Sequence, residues 1–283
     1  MTANKKRYEP RSFAQGSSRC CVTSFFRDFV FHQPACYRQL SDNDSAQPVL
    51  NRTRHRSYIA SSKSVRAVDA RISVRRLKVP HKARELYEKA LAAWARLASP
   101  EAEHKLDQAL RLDSEFPDAL ALRGAIQAFH QQWESAEQSL QAAIVGDPSY
   151  SPPYLILAAV YNSEERFDEA RQVSERALSA GGDNWSVQYE IARSFIGKRK
   201  YESALAVTEL SLRSDQHGCL MHLAKAHALL GLRRYVEAVA ELRTFVHDQP
   251  SGDGSQDARE LLERLQTVVL RQPGNPPATG IAR

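Results

Sequence analysis

Ala102, Ala136, Ala170, Ala204 and Ala238 stand 34 residues apart with no slip in register. A single closed core has no reason to repeat itself at a fixed interval. A period in the range of roughly 20 to 50 residues marks a stack of similar supersecondary units, each burying its apolar face against the next. Other positions keep the same beat. Three residues ahead of the later alanines comes an aromatic: Trp133, Phe167, Tyr201 and Tyr235. Twelve ahead comes a small residue: Ala90, Gly124, Ala158, Ala192 and Ala226. Seven after come Ala109, Ala143, Ala177, Ser211 and Phe245, and eight after come Leu110, Ile144, Leu178, Leu212 and Val246. Twelve after, residues that favour the end of a helix are common: Ser114, Pro148, Gly182, Gln216 and Pro250.

The small positions have a packing reason. Two helices of one unit cross at close range, and a small residue on each lets their axes approach to about 8–10 Å. The aromatic and aliphatic positions then fill the space between one unit and the next. The second half of a unit reads as an amphipathic helix. In 133–145, Trp133, Ala136, Leu140, Ala143 and Ile144 share one face, with Glu134, Glu137, Gln138 and Gln141 between them.

This pattern resembles the tetratricopeptide repeat (TPR), whose unit is helix–turn–helix, with W-x2-L-G-x2-Y in the first helix and A-x3-F-x2-A in the second, followed by proline. The resemblance covers about 170 of the 283 residues. It implies an all-α, right-handed superhelical solenoid of five units, at 83–116, 117–150, 151–184, 185–218 and 219–252. Asp257–Leu270 reads as an amphipathic helix with Leu261, Leu262, Leu265 and Val269 on one side, so 255–270 is expected to cap the open end. The tail 271–283 is expected to be disordered. The first unit departs most from the pattern, with Ser99 in the aromatic position and Ala93 where tyrosine is usual. There Pro100 fits the first turn of the second helix, with Ser99 as its expected N-cap. Gln188 and His222 replace the leading tryptophan of units four and five.

In the TPR family, ligands usually lie in the concave groove lined by the first helices. Carried onto this chain, the resemblance implies a groove formed by Tyr87, Leu91 and Trp94; Ala121, Ala125, Ala128 and Phe129; Leu155, Ala159 and Asn162; Tyr189, Arg193 and Ile196; and Leu223, His227 and Leu230. Such a face would be apolar and aromatic, with Asn162, Arg193 and His227 as scattered polar groups, and would suit an amphipathic helix or an extended apolar peptide. The competing reading is that Tyr87, Trp94 and Phe129 are partly buried between adjacent first helices, or covered by the leader folding back. The Hsp90-type members grip a C-terminal carboxylate with Lys and Asn; the matching positions here are Tyr87, Leu91 and Leu122, so that clamp is absent. The function implied is a protein–protein interaction scaffold or adaptor without catalysis.

Residues 1–80 are a different kind of sequence. They carry 16 Lys+Arg and 5 Asp+Glu, hence +11; the remaining 203 residues carry 23 and 28, hence −5, and the sum is the +6 of the whole chain. The segment 1–70 has no 34-residue register and reads as a basic, disordered leader, with 71–82 as a lead-in in which I-S-V-R-R-L forms a short strand or turn. Two other readings stand beside it: an arm that binds nucleic acid or a membrane surface through counterion release, and a stretch ahead of the true start. The aromatic cluster Phe25, Phe26, Phe29 and Phe31 is interrupted by Arg27 and Asp28, which excludes a signal-peptide core, and no apolar run spans a bilayer. The absence of an export signal favours the cytoplasm; a different start would reopen a periplasmic or secreted location.

Chemistry-bearing motifs are missing. No GxxxxGK[ST], GxGxxG, HExxH or GxSxG occurs, and the four cysteines, Cys20, Cys21, Cys36 and Cys219, form no CxxC. His217, Cys219, His222 and His227 crowd together and are the one metal candidate, but they fit repeat positions better. The run Lys198–Lys200 reads as a solvated turn. No cofactor and no metal is expected.

Overall fold

The computed structural model describes residues 74–182, 184–213, 219–249 and 255–270, and all the regular structure among them is helical. The expectations for the leader and for the tail after residue 270 lie outside the described residues. A short helix α1 (Val74–Leu77) leads into five helix pairs: α2 (His81–Ala95) with α3 (Ser99–Leu112), α4 (Pro117–Phe129) with α5 (Trp133–Gly146), α6 (Pro152–Ser163) with α7 (Phe167–Ser179), α8 (Asn184–Gly197) with α9 (Tyr201–Leu212), and α10 (Leu220–Gly231) with α11 (Tyr235–Asp248). A last helix, α12 (Ser255–Leu270), follows.

Packing follows chain order. The partners within each pair touch, each second helix touches the next first helix, and successive first helices touch one another from α2 through α10. α12 lies against α11 with Ala258, Leu261 and Leu265 buried. This is the contact pattern of a solenoid, in which each unit meets only its neighbours. The five register alanines are fully buried, as are Ala90, Ala158, Ala192 and Ala226 on the facing helices. Gly124 fills the equivalent place in α4, where a Cβ would come 2.6 Å from Leu140 Cγ.

Local chemistry sets the helix starts. Prolines stand in the first turns of α3, α4 and α6, where the missing N–H has no partner to lose. Ser99 is itself helical, and Ala98 takes the N-cap position without a side-chain cap, so the expected Ser99 cap is not made. The hydroxyl sits one residue too far along: Pro100 accommodates a helix that already includes Ser99.

The turns inside the five pairs share a feature that sequence reading did not reveal. Leu97, Gln131, Glu165, Arg199 and Arg233 all have φ between 57° and 61°, and they lie 34 residues apart. Each is the left-handed residue of a Schellman closure; at the third turn, Glu165 N–H reaches Asn162 O at 3.4 Å and Arg166 N–H reaches Tyr161 O at 2.8 Å. None of the five is glycine, so each carries a Cβ penalty on the order of 1–2 kcal/mol. Glycine relieves that strain and gives back part of it through unfolded-chain entropy. Replacing all five by glycine is therefore expected to stabilise the protein by a few kcal/mol in urea unfolding. An unchanged midpoint would mean that the turns are not strained.

Of the strand or turn expected in the lead-in, the structure has the turn: Val74–Leu77 is a single helical turn. A strand would send Arg75 and Arg76 to opposite faces. Here Arg75 pairs with Asp113, at the end of α3, while Arg76 makes a two-point contact with Asp118, in the first turn of α4. The Arg76 guanidinium also lies 4.7 Å over the Tyr150 ring. Arg84 Nη2 closes the segment by donating to Leu77 O and Val79 O, both at 3.0 Å.

Candidate functional site

The first helices α2, α4, α6, α8 and α10 carry every position expected in the groove, and the structure places these residues at two depths. Trp94, Leu155, Asn162, Tyr189 and Leu223 are buried, as are Ala121, Ala125, Ala128 and Ala159. Tyr87, Leu91, Phe129, Arg193, Ile196, His227 and Leu230 are half-buried. None is fully exposed. An open aromatic face therefore overstates what solvent meets: Tyr189 is 2% exposed and belongs to the main apolar cluster with Leu155 and Leu223. Trp94 and Phe129 stack edge to face at 5.1 Å, which ties α2 to α4, and Tyr87 meets Phe116 at 5.4 Å.

The polar groups expected to be scattered are partly gathered. Asn162 and Arg193 both bond to Glu190, a fully buried carboxylate on α8. Asn162 Nδ2 donates to Glu190 Oε2 at 2.8 Å and to its backbone O at 3.0 Å. Arg193 Nη1 donates to Oε2 at 2.9 Å, and Ser194 Oγ donates to Asn162 Oδ1 at 2.8 Å. The carboxylate is thus neutralised and hydrogen-bonded, as a buried charge requires. The network joins α6 to α8, so it fixes how the third and fourth pairs meet. Sequence reading passed over Glu190 because it sat among many glutamates; the available signal was its i,i+3 spacing from a groove arginine.

His227 on α10 completes this region. Burial, with the nearby charge of Arg193, pushes its pKa down to about 4 from 6.5, so the ring is neutral near pH 7. The unfolded chain takes up this proton below about pH 6.5, while the folded chain resists until about pH 4. Stability linked to His227 is therefore present above the unfolded value and is lost as pH falls between the two, by up to about 3 kcal/mol. Urea unfolding between those pH values should show a steeper loss for wild type than for His227→Leu. Parallel curves would refute the linkage.

Two further charged clusters lie between helices. Glu241 on α11 takes bonds at 2.7 Å from both His222 Nδ1 and Lys225 Nζ of α10. Burial pushes Glu241 up, but these two partners more than offset it and hold the carboxyl below its ordinary range. Tyr161 donates to Glu137 at 2.7 Å beneath the Arg166 guanidinium, and burial with that bond raises the phenol to about 12. His222 is thus engaged with a carboxylate, and His217 lies outside the described residues. Among the described residues no group of three or more His, Cys, Asp or Glu is placed to hold a metal ion. No described helix is long and apolar enough to cross a membrane. Lys198, Arg199 and Lys200 occupy the turn between α8 and α9, with Lys198 paired to Asp168 at 2.7 Å.

No family model and no curated protein matches this sequence. Solved structures do. A thermophilic TPR protein in Thermus thermophilus superposes with a TM-score of 0.56 at 16% identity, over 65% of this chain and 99% of that one. A tetratricopeptide repeat protein from Parabacteroides merdae superposes with a TM-score of 0.52 at 17% identity, over 66% of this chain and 75% of that one.

Proposed function

We propose that this chain, a TPR solenoid by fold, is a non-catalytic interaction scaffold or adaptor that takes a partner helix or apolar peptide against the face of its first helices. The observation that carries this reading is the set of half-buried apolar side chains on four of the five first helices, Leu91, Phe129, Ile196 and Leu230, of which Ile196 and Leu230 hold the same repeat position 34 residues apart. Half-buried apolar side chains supply the anchors that helix-in-groove recognition uses. The buried residues beneath them shape the groove without meeting a ligand.

The test follows from the two depths. Tyr189→Glu or Leu223→Glu would bury a charge and damage the fold, so a lost interaction would be uninformative. Ile196→Glu and Leu230→Glu alter side chains that already reach solvent. The double variant is expected to keep wild-type helicity and melting behaviour while a partner captured by the wild-type chain is lost, with affinity down by at least tenfold. Unchanged affinity would move the binding surface elsewhere.

A further inference from the structure

The structure fixes where the leader joins the solenoid. Traced backwards from α2, the chain passes Val79, buried with the first two pairs, and reaches Arg76 and Arg75, bonded to Asp118 and Asp113. Arg76 there lies over Tyr150, at the junction with the third pair. The described chain therefore begins at the rim where the first helices start. Arg76, Asp118 and Tyr150 hold that entry point, with Asp118 only 3% exposed.

We propose that the segment Phe25–Phe31 of the leader is the groove's own occupant, seated in cis against the face that carries Phe129, Ile196 and Leu230. This rests on the groove reading above and names its first ligand. The segment lies outside the described residues, and three observations select it. Phe25, Phe26, Phe29 and Val30 follow i, i+1, i+4 and i+5 spacing, which gathers them on one helical face with Arg27 and Asp28 off it. That is the chemistry an apolar helix-binding groove accepts. The segment's own charges cancel, Arg27 against Asp28, which suits a face whose Arg193 is already paired with Glu190. The reach is ample, because the chain between Phe31 and Val74 can extend, at about 3.3 Å per residue, well beyond the roughly 10 Å from one helix to the next. Tethering raises the local concentration of such a segment to the millimolar range, so even a weak contact is populated. An external partner must then displace it, and the solenoid is self-covered until a better ligand arrives.

A photo-crosslinking benzophenone placed at position 29 of the full chain tests this directly. Cross-links within one chain to peptides of α4, α8 or α10 are expected. Cross-links confined to second helices, to other copies, or absent altogether would overturn the proposal. A second measurement uses the synthetic peptide Val22–His32 as probe. It should bind the full-length Phe25→Glu/Phe29→Glu variant at least tenfold more tightly than wild type, because the cis copy no longer competes. Equal affinity for both would also overturn it. A cross-link into the groove, with no partner lost by the Ile196→Glu/Leu230→Glu variant, would keep the cis contact and sink the adaptor reading. Partner loss in that variant without a cross-link would do the reverse.

Discussion

Glu190→Ala is expected to cost about 3 kcal/mol in urea unfolding. Removing one member of a buried ion pair leaves the other charge uncompensated, which typically costs about 3–5 kcal/mol. The lower end applies because the Arg193 side chain is 16% exposed and recovers some water contact. Asn162 loses its carboxylate acceptor as well and keeps only the backbone O of residue 190. A double replacement, Glu190→Met with Arg193→Met, should recover much of the loss, since an apolar pair of similar volume needs neither charge nor partner. The coupling between the two sites would then be read from the cycle. A Glu190→Ala midpoint matching wild type would mean that the carboxylate is not sealed between α6 and α8. The substitution should also weaken partner capture, because the network sets the relative placement of Tyr189 and Leu155.

Gly231→Ala should destabilise, against the direction that helix propensity alone gives. Alanine is ordinarily the better helix former, by about 1 kcal/mol in a helix interior and by less at the last residue of α10, where Gly231 stands. Here a Cβ at Gly231 would run into Tyr201 of the preceding pair, at the ring's attachment carbon Cγ and along its Cδ1–Cε1 edge. That end of the ring cannot swing away without moving α9. Overpacking of this kind costs roughly 1–3 kcal/mol. At Gly197 the clash falls on Phe167 Cε1 and Cζ, toward the far edge of its ring, which can tilt. Gly231→Ala should therefore melt lower than Gly197→Ala. Tyr201→Ala in the Gly231→Ala background should be milder than the two single losses summed. A Gly231→Ala variant as stable as wild type would remove the close approach from the account of how pairs stack.

These two glycines show how far the periodicity could be read. The aromatic three residues before each of the four later alanines was legible, because Trp133, Phe167, Tyr201 and Tyr235 repeat visibly. Its partner was not: Ser163, Gly197 and Gly231 stand 34 residues apart, but a small residue at a helix end has too many other causes to be noticed. The left-handed turns were hidden for a related reason. Leu97, Gln131, Glu165, Arg199 and Arg233 share a conformation and no chemistry, and the glycine that would have announced it is absent.

The groove divides in the same way. Which residues lie on first helices follows from register, and register is local: a residue's phase in a 34-residue unit fixes its face. Depth is not local. Tyr87 and Tyr189 hold the same position of their units, yet one is half-buried and the other 2% exposed. The difference depends on what neighbouring helices place over each. Likewise Arg75 and Arg76 read as part of a basic leader, while their function as the anchor depends on Asp113 and Asp118, 38 and 42 residues away, being turned toward them.

By itself the sequence determined the unit, its period, the crossing alanines and the helical hairpin, because each follows from the spacing of residue types along one short segment. Only the tertiary structure decided which groove residues meet solvent, which glutamate is buried as a counter-charge, and where Arg75 and Arg76 of the lead-in are pinned. Those outcomes depend on distances between units, and burial and ion pairing exist only once the units have stacked.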